Sequence, residues 1–177
     1  VKGVVVISSG FSEIGKEGKL LEKELEKILK GSKTRMIGPN VIGIFNSRNG
    51  LDALFLSRKR LERPKPGNIS IISQSGAVGS VILDFMSKNE IGVSKFVSYG
   101  NALDINEVDL LEYFLEDDET KVVGLYLEGI KSDGKKFFEV LKKFGKKKPL
   151  VILKAGKTEK GKKAVLSHTA SMAGSHE

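Results

Sequence analysis

Cysteine and tryptophan are absent from this 177-residue chain, histidine occurs twice, proline four times, and only five of the thirty basic residues are Arg. Without Cys there is no disulfide, no thiolate chemistry and no Cys-ligated metal. The two histidines, His168 and His176, do not fall in an HxxxH or HxH spacing, so no zinc signature is present. No run reaches the ~18 apolar residues that a membrane span needs, and no basic start followed by an apolar stretch and a small-residue cleavage site marks a signal peptide. A cytoplasmic protein with no membrane partner is expected. Few of the cations are Arg and there is no Trp, which argues against nucleic acid, since its readers use Arg forks and stacking rings. Any chemistry must come from His, carboxylates, hydroxyls, Lys or backbone amides.

Hydrophobic residues make up 40% of the chain and charged ones 29%, enough for one substantial domain, or one domain and part of another. The net charge of +8 is unevenly spread. Asn101 to Thr120 holds eight acids and no base, whereas Lys131 to Lys163 holds thirteen Lys against Asp133, Glu139 and Glu159. Solvated helix faces, or attraction to a phosphate-bearing small molecule, account for such lysines. Abundant Lys and Glu without Cys or Trp also suit a thermophile.

"VKGVVVISSGF" opens with a strand pattern from Val4 to Ile7 that would be buried on both faces. Gly15 to Lys30 follows as a helix with Leu21, Leu25, Ile28 and Leu29 on one stripe. "RMIGPNVIGIFN" predicts two short extended pieces about the turn Gly38-Pro39-Asn40. The connector "RPKPGN", residues 63 to 68, is the expected boundary between a first unit, 1–62, and a second, 63–177. The second unit alternates cleanly. Strands are expected at 69–73, 95–100, 122–129 and 149–156. The helix over 77–89 would carry Val78, Val81, Ile82, Phe85 and Met86 inward. A helix over 106–115 would bury Leu111, Phe114 and Leu115, and the next Phe137, Val140, Leu141 and Phe144. Such alternation predicts an α/β fold, an open parallel sheet flanked by helices.

In such a sheet, ligands gather where strand carboxyl ends meet helix amino ends. Ser8-Ser9-Gly10, Ser73-Gln74-Ser75-Gly76, Tyr99-Gly100-Asn101, Glu128-Gly129 and Ala155-Gly156 mark those ends. Ser75 can cap the next helix, and Gly76 lets backbone come close to a ligand, a setting suited to phosphate. A cap alone would also explain Ser75. Glu128 ends the apolar run "VVGLYL", where it is either a carboxylate held in a partly buried place or one that simply emerges beyond the strand. His168 lies in "AVLSHTASMAGS". A lone His is often only structural. As a functional one it would need a carboxylate to orient one ring nitrogen and a site for what the other takes up. Glu128 and the Ser75-Gly76 helix start are the candidates.

Together "GPNVIGIFN", "KPGNISIISQSGAVGS", "VSYGNALDINEVDLLEYF", "LYLEGI" and "LKAGKTEKGKKAVLSHTASMAGS" resemble, in order and over nearly the whole chain, the α component of nucleoside-diphosphate-forming acyl-CoA synthetases. The ADP-forming acetate-CoA ligase branch is the nearer one and succinyl-CoA synthetase the more distant. The resemblance implies a flavodoxin-like domain over 63–177, incomplete at its carboxyl end, preceded in 1–62 by the last part of a Rossmann-like CoA-binding domain. It implies a reaction from acyl-CoA, phosphate and ADP to acid, CoA and ATP, through an acyl phosphate and a phosphohistidine. The phosphorylated histidine would be His168, its orienting carboxylate Glu128, and the phosphate-binding helix start Ser75, Gly76 and Ala77. Ile7, Ser8, Ser9 and Asn40 would lie at the CoA site, with no metal ligand in the chain. ATP or ADP with Mg2+ would be held by an ATP-grasp β subunit or fused domain, in a hetero-oligomer. Two residues depart from the pattern: Ala170 stands where relatives often have Gly, and Ser80 where the succinyl branch has Tyr, so succinate is not carried over. The alternative is a non-catalytic ligand-binding or regulatory module on the same fold. Retention of His168, Glu128 and the Ser75-Gly76 start favours the enzyme.

Overall fold

The computed structural model describes residues 1–156. Its strands are β1 (Gly3–Val5), β2 (Arg35–Ile37), β3 (Gly43–Asn46), β4 (Leu51–Leu54), β5 (Pro66–Ser73), β6 (Val93–Ser98), β7 (Val122–Leu127) and β8 (Leu150–Lys154). Its helices are α1 (Lys16–Lys30), α2 (Gly76–Lys88), α3 (Glu107–Glu116) and α4 (Gly134–Lys147), with a 3-10 turn at Ser12–Ile14. A small sheet pairs β1 with β2 in parallel, α1 making the crossover. A six-stranded sheet runs β4-β3-β6-β5-β7-β8. Its last four strands are parallel, and in chain order they read second, first, third, fourth, the flavodoxin-like arrangement, whose order reverses between first and third. Here that point lies between β5 and β7.

The alternating pattern after residue 66 sets these elements well. Asn106 caps α3 in a capping box with Asp109, and Asp133 caps α4 by accepting from the Lys135 and Lys136 amides. Leu111, Phe114, Phe137, Val140 and Phe144 pack on Ile72, Val123, Leu125 and Leu127 to make the core on one face.

The open parallel sheet flanked by helices that the alternation predicts is present as β6-β5-β7-β8, and β3, antiparallel to both β4 and β6, extends it into a mixed sheet. Strand β4 has no long apolar run to announce it and follows the turn at Asn49-Gly50, where Gly50 takes φ 76. The β3–β4 hairpin belongs to the large sheet, and Phe45 and Leu61 share a core with Ile71, Leu83, Met86, Val93 and Phe96. Sheet membership changes between Ile37 and Gly43. Some local expectations need correction. Strand β1 is shorter than Val4 to Ile7, and Val4 to Val6 are only half-buried while Ile7 is exposed. The two-stranded sheet is also too narrow to cover α1: Leu25 and Leu29 are half-buried, but Leu21 and Ile28 stay exposed.

Helix α2 is rotated from the expected face. It buries Gly79, Leu83 and Met86 and leaves Val81 and Phe85 exposed. A Cβ on Gly79 would lie 2.7 Å from Phe96 Cζ and 3.1 Å from Ser73 Cβ, so the glycine lets the helix lie directly on the sheet. A hydrophobic pattern cannot register an inward position that has no side chain.

The segment after β6 joins the two sheets. Leu103 N donates to Gly38 O and Ile105 N to Met36 O, while Asp104 accepts from Met36 N and pairs with Arg35. Gly100 takes φ 55, and a Cβ there would sit 2.3 Å from the Pro39 and Asn40 carbonyl oxygens. Asn101 Nδ2 reaches Glu13 Oε2 at 2.6 Å and Glu22 Oε2 at 3.0 Å. Burial pushes the Glu13 carboxyl up, but Asn101 and the Gly10 and Phe11 amides outweigh it and hold the group below its ordinary value. Toward the amino end of β6, Lys95 Nζ is enclosed with Asp117 at 2.8 Å and Glu119 at 2.6 Å. Thr120 joins Asp117 to Ser70 through hydroxyl bonds.

Two stability outcomes follow. Lys95→Met strands Asp117 in a partly desolvated place and is expected to cost roughly 3 kcal/mol at neutral pH. Burial raises the Asp117 carboxyl, but Lys95 and Thr120 overcome this and hold it below its ordinary value. Its stabilisation is therefore present above the unfolded pKa of ~3.9 and lost as pH falls through the lower folded one. Denaturant titrations from neutral to acid pH should show a shallower acid decline for Lys95→Met than for wild type. Asn101→Ala removes the donor shared by Glu13 and Glu22, with an expected loss of about 1–3 kcal/mol at neutral pH. In the same titrations that deficit shrinks as pH falls through the folded Glu13 value, because Asn101 holds that carboxyl below its ordinary value and its contribution is lost once Glu13 is protonated.

Candidate functional site

The carboxyl ends of β5 and β7 bound the point where the strand order reverses, and their register places Ser73 opposite Tyr126. Beyond Ser73 the chain turns through Gln74 and Ser75 into α2. Ser73 Oγ donates to Ser75 O at 2.6 Å, and Ser75 Oγ caps α2 by accepting from Val78 N at 3.3 Å. Gly76 and Ala77 thus open a helix at its positive end, where backbone N–H groups lack intrahelical acceptors. Gly76 lies against Ile42: a Cβ there would be 2.7 Å from Ile42 Cγ2.

Glu128 follows β7 directly and is half-buried. Its backbone N–H donates to Gln74 Oε1 at 2.8 Å, and Gly129 N–H donates to the same oxygen at 3.0 Å. Lys154, at the end of β8, donates to Glu128 O at 2.7 Å. Three strand ends are thereby tied at one point. Burial raises the Tyr126 hydroxyl, and the neighbouring Glu128 charge and a hydrogen bond to that carboxylate raise it further. Tyr126 is therefore a neutral donor to Glu128 at physiological pH.

The second group of candidates lies on the small sheet. Ile7, Ser8 and Ser9 form the exposed stretch after β1, and Ser8 O accepts from Asn40 N at 2.9 Å. Asn40, at φ 63 after the Gly38-Pro39 turn, reaches Asn101 Oδ1 at 3.4 Å through Nδ2. Asn101 follows Tyr99, whose N–H donates to Ser73 O. The structure thus brings Ser75, Gly76 and Ala77 to one edge with Glu128, and Ser8 to Asn40. The two groups adjoin through the 38–42 segment and the turn after β6. His168 lies outside the described residues.

The sequence alone assigns no role to Gln74 or Lys154. Gln74 is buried, and its only sequence signal is a long polar side chain set between two serines at a strand end. Lys154 gave no signal of its own among so many lysines. Among the described residues no group of three or more His, Asp or Glu is arranged to hold a metal ion, and no helix is long and apolar enough to cross a membrane.

Comparison with known proteins adds to this geometry. The chain is 50% identical over 175 residues to the α subunit of acetate-CoA ligase [ADP-forming] II of Pyrococcus furiosus, spanning 99% of this chain and 37% of that protein. It is 52% identical over 174 residues to the acetate-CoA ligase [ADP-forming] of Methanocaldococcus jannaschii, spanning 98% of this chain and 24% of that one. The chain thus spans between about a quarter and just over a third of the length of these relatives. Among solved structures it superposes with a TM-score of 0.84 and 40% identity on the acetyl-coenzyme A synthetase 1 of Candidatus Korarchaeum cryptofilum in complex with phosphate and ADP, covering 98% of this chain and 36% of that one. The model of the family described as succinyl-CoA ligase like flavodoxin domain matches residues 66–177, the stretch that holds β5 to β8, the α2 start and Glu128. The chain belongs to the succinyl-CoA ligase like flavodoxin domain family.

Proposed function

We propose that this chain is part of an ADP-forming acyl-CoA synthetase acting on acetyl-CoA or a similar small acyl-CoA, and that it relays phosphate through His168. The observation that carries the reading is the pairing of β5 with β7. It sets the amino end of α2 and Glu128 on either side of the reversal in strand order and ties them through Gln74. An anion bound at Ser75, Gly76 and Ala77 meets capped but open backbone amides and the positive helix end. Glu128, itself paired with Tyr126, is the carboxylate that would orient the His168 imidazole and steady its charge as it takes up phosphate.

In this reading acyl-CoA and phosphate give acyl phosphate and free CoA. The phosphoryl group then moves to the His168 ring nitrogen with release of the acid, and from there to ADP to give ATP. The relatives' names as α subunits and as longer single chains support a partner that holds nucleotide and Mg2+, an ATP-grasp subunit or fused domain. Ile7, Ser8, Ser9 and Asn40 are assigned to CoA. Their surroundings suit it: an exposed loop at the end of a parallel strand offers two hydroxyls and an apolar Ile7 that is 38% exposed. We further assign residues 1–62 to the end of a CoA-binding unit and 63–177 to the ligase unit, with the β3–β4 hairpin shared in the larger sheet.

The test uses the full-length protein with its ATP-grasp partner and labelled ATP. An acid-labile, base-stable phosphate is expected on His168 and absent from His168→Asn; equal labelling of that variant overturns the relay and favours a regulatory module. Glu128→Gln keeps the shape of the side chain and removes its charge. It should slow phosphohistidine formation by about ten- to a hundredfold, with a melting temperature close to wild type in a parallel thermal scan.

A further inference from the structure

The stretch that follows Glu128 is anchored twice, by two side chains from different elements. At its start, Gln74 Oε1 takes the Glu128 and Gly129 N–H groups at 2.8 and 3.0 Å. Two residues further on, Glu107 Oε1 takes Lys131 N–H and Ser132 N–H at 2.9 Å each and the Ser132 hydroxyl at 2.7 Å. Glu107 is the first residue of α3 and is wholly buried. Its other oxygen, Oε2, is buried with no hydrogen-bond partner, and so is the hydroxyl of the fully buried Tyr99. Burial, with the charges of Glu107 and Glu128 nearby, pushes the Tyr99 hydroxyl up. A carboxylate in such a place is costly to keep, and the three bonds it accepts all go to residues 131 and 132.

Each anchor has a chemical logic. A glutamine oxygen accepts two N–H groups without adding charge, which matters at a side chain lying between a phosphate-binding turn and a carboxylate. It also belongs to the turn itself: Gln74 lies between Ser73 and Ser75, and its own N–H donates to Tyr126 O at 3.1 Å. The phosphate turn and Glu128 therefore cannot move independently. At the far end of the stretch, a charged acceptor makes stronger bonds than a neutral one.

We propose that Gln74 and Glu107 are positioning residues that grip residues 128–132 from two sides and so fix the place of the Glu128 carboxylate beside the α2 amino end. The proposal rests on the phosphohistidine reading above, since it acts through Glu128. The decisive measurement is the rate of phosphohistidine formation in the full-length protein with its ATP-grasp partner, alone and combined with Glu128→Gln. Gln74→Met and Glu107→Ala are each expected to slow labelling about tenfold, with nucleotide KM within about twofold of wild type. Glu107→Gln keeps an acceptor oxygen for Lys131 and Ser132 and should stay within about threefold. In the Glu128→Gln background, Gln74→Met and Glu107→Ala should add no more than about twofold, because the group they place is already gone. Thermal scans of the same samples separate unfolding from misplacement. If a truncation unfolds, Gln74→Asn, which withdraws the oxygen by one methylene, carries the same expectation. Effects that multiply with Glu128→Gln, or a Glu107→Gln variant as slow as Glu107→Ala, overturn the positioning role. A His168→Asn control that still takes up label overturns the relay reading instead.

Discussion

The parallel pairing of β5 with β7 is the constraint from which the candidate site follows. Consecutive strands in a βαβ unit are often neighbours, yet here β6 goes to one side of β5 and β7 to the other. The chains leaving β5 and β7 must then diverge onto opposite faces of the sheet, and a crevice opens between them. Register decides what borders it. With Ser73 opposite Tyr126, the next residues are Gln74 on one strand and Leu127 and Glu128 on the other, so the glutamine side chain meets the amides that the ladder no longer satisfies. One buried side chain thus replaces the missing rungs of the sheet. It does so without a charge that would compete with an anion at the start of α2.

A second constraint sets the small sheet against the large one. The turn after β6 gives backbone bonds to Gly38 and Met36 and a side chain, Asn101, to Glu13 and Glu22. Gly100 makes the approach possible, because its positive φ and missing Cβ let it lie on the Pro39 and Asn40 carbonyls. The loop after β1 is therefore held to the same turn that follows β6, and β6 is bonded to β5. A displacement of the Ser8–Asn40 group would be felt at the strand ends through hydrogen bonds rather than through a flexible linker.

Much of this was legible in the sequence, and the exceptions share a cause. Strands β5 to β8 and helices α3 and α4 were readable because each buries a continuous run or stripe. Ser75, Gly76 and Glu128 were readable because they follow strand ends in a parallel sheet. The hairpin β3–β4 was not, since its strands are four residues each and draw their stability from pairing with β6, a partner distant in sequence. The rotation of α2 was hidden because its contact with Phe96 is made by Gly79. The exposure of Leu21 and Ile28 was hidden because amphipathicity states which face is apolar and not what is present to cover it. Gln74 and Glu107 were missed for a related reason: a buried polar residue is identified by the donors that surround it, and those come from elements far away in the chain.

The electrostatic arrangement of the edge explains why placement matters there. Positive potential comes from the opening amides of α2 and from the Lys154 ammonium, which is committed to the carbonyls of Glu128 and Ala155. Negative charge comes from Glu128 and, behind it, Glu107. In the proposed relay a phosphate would sit near the first pair and at a controlled distance from the second, because like charges a few ångströms apart in a partly desolvated crevice repel strongly. Freedom at Glu128 would let it drift toward that anion or away from the imidazole it is proposed to orient. The anchors on both sides and the lysine on the carbonyl hold its backbone, and the Tyr126 hydroxyl bonds its carboxylate, so in that reading little of the binding energy would be spent on ordering the site.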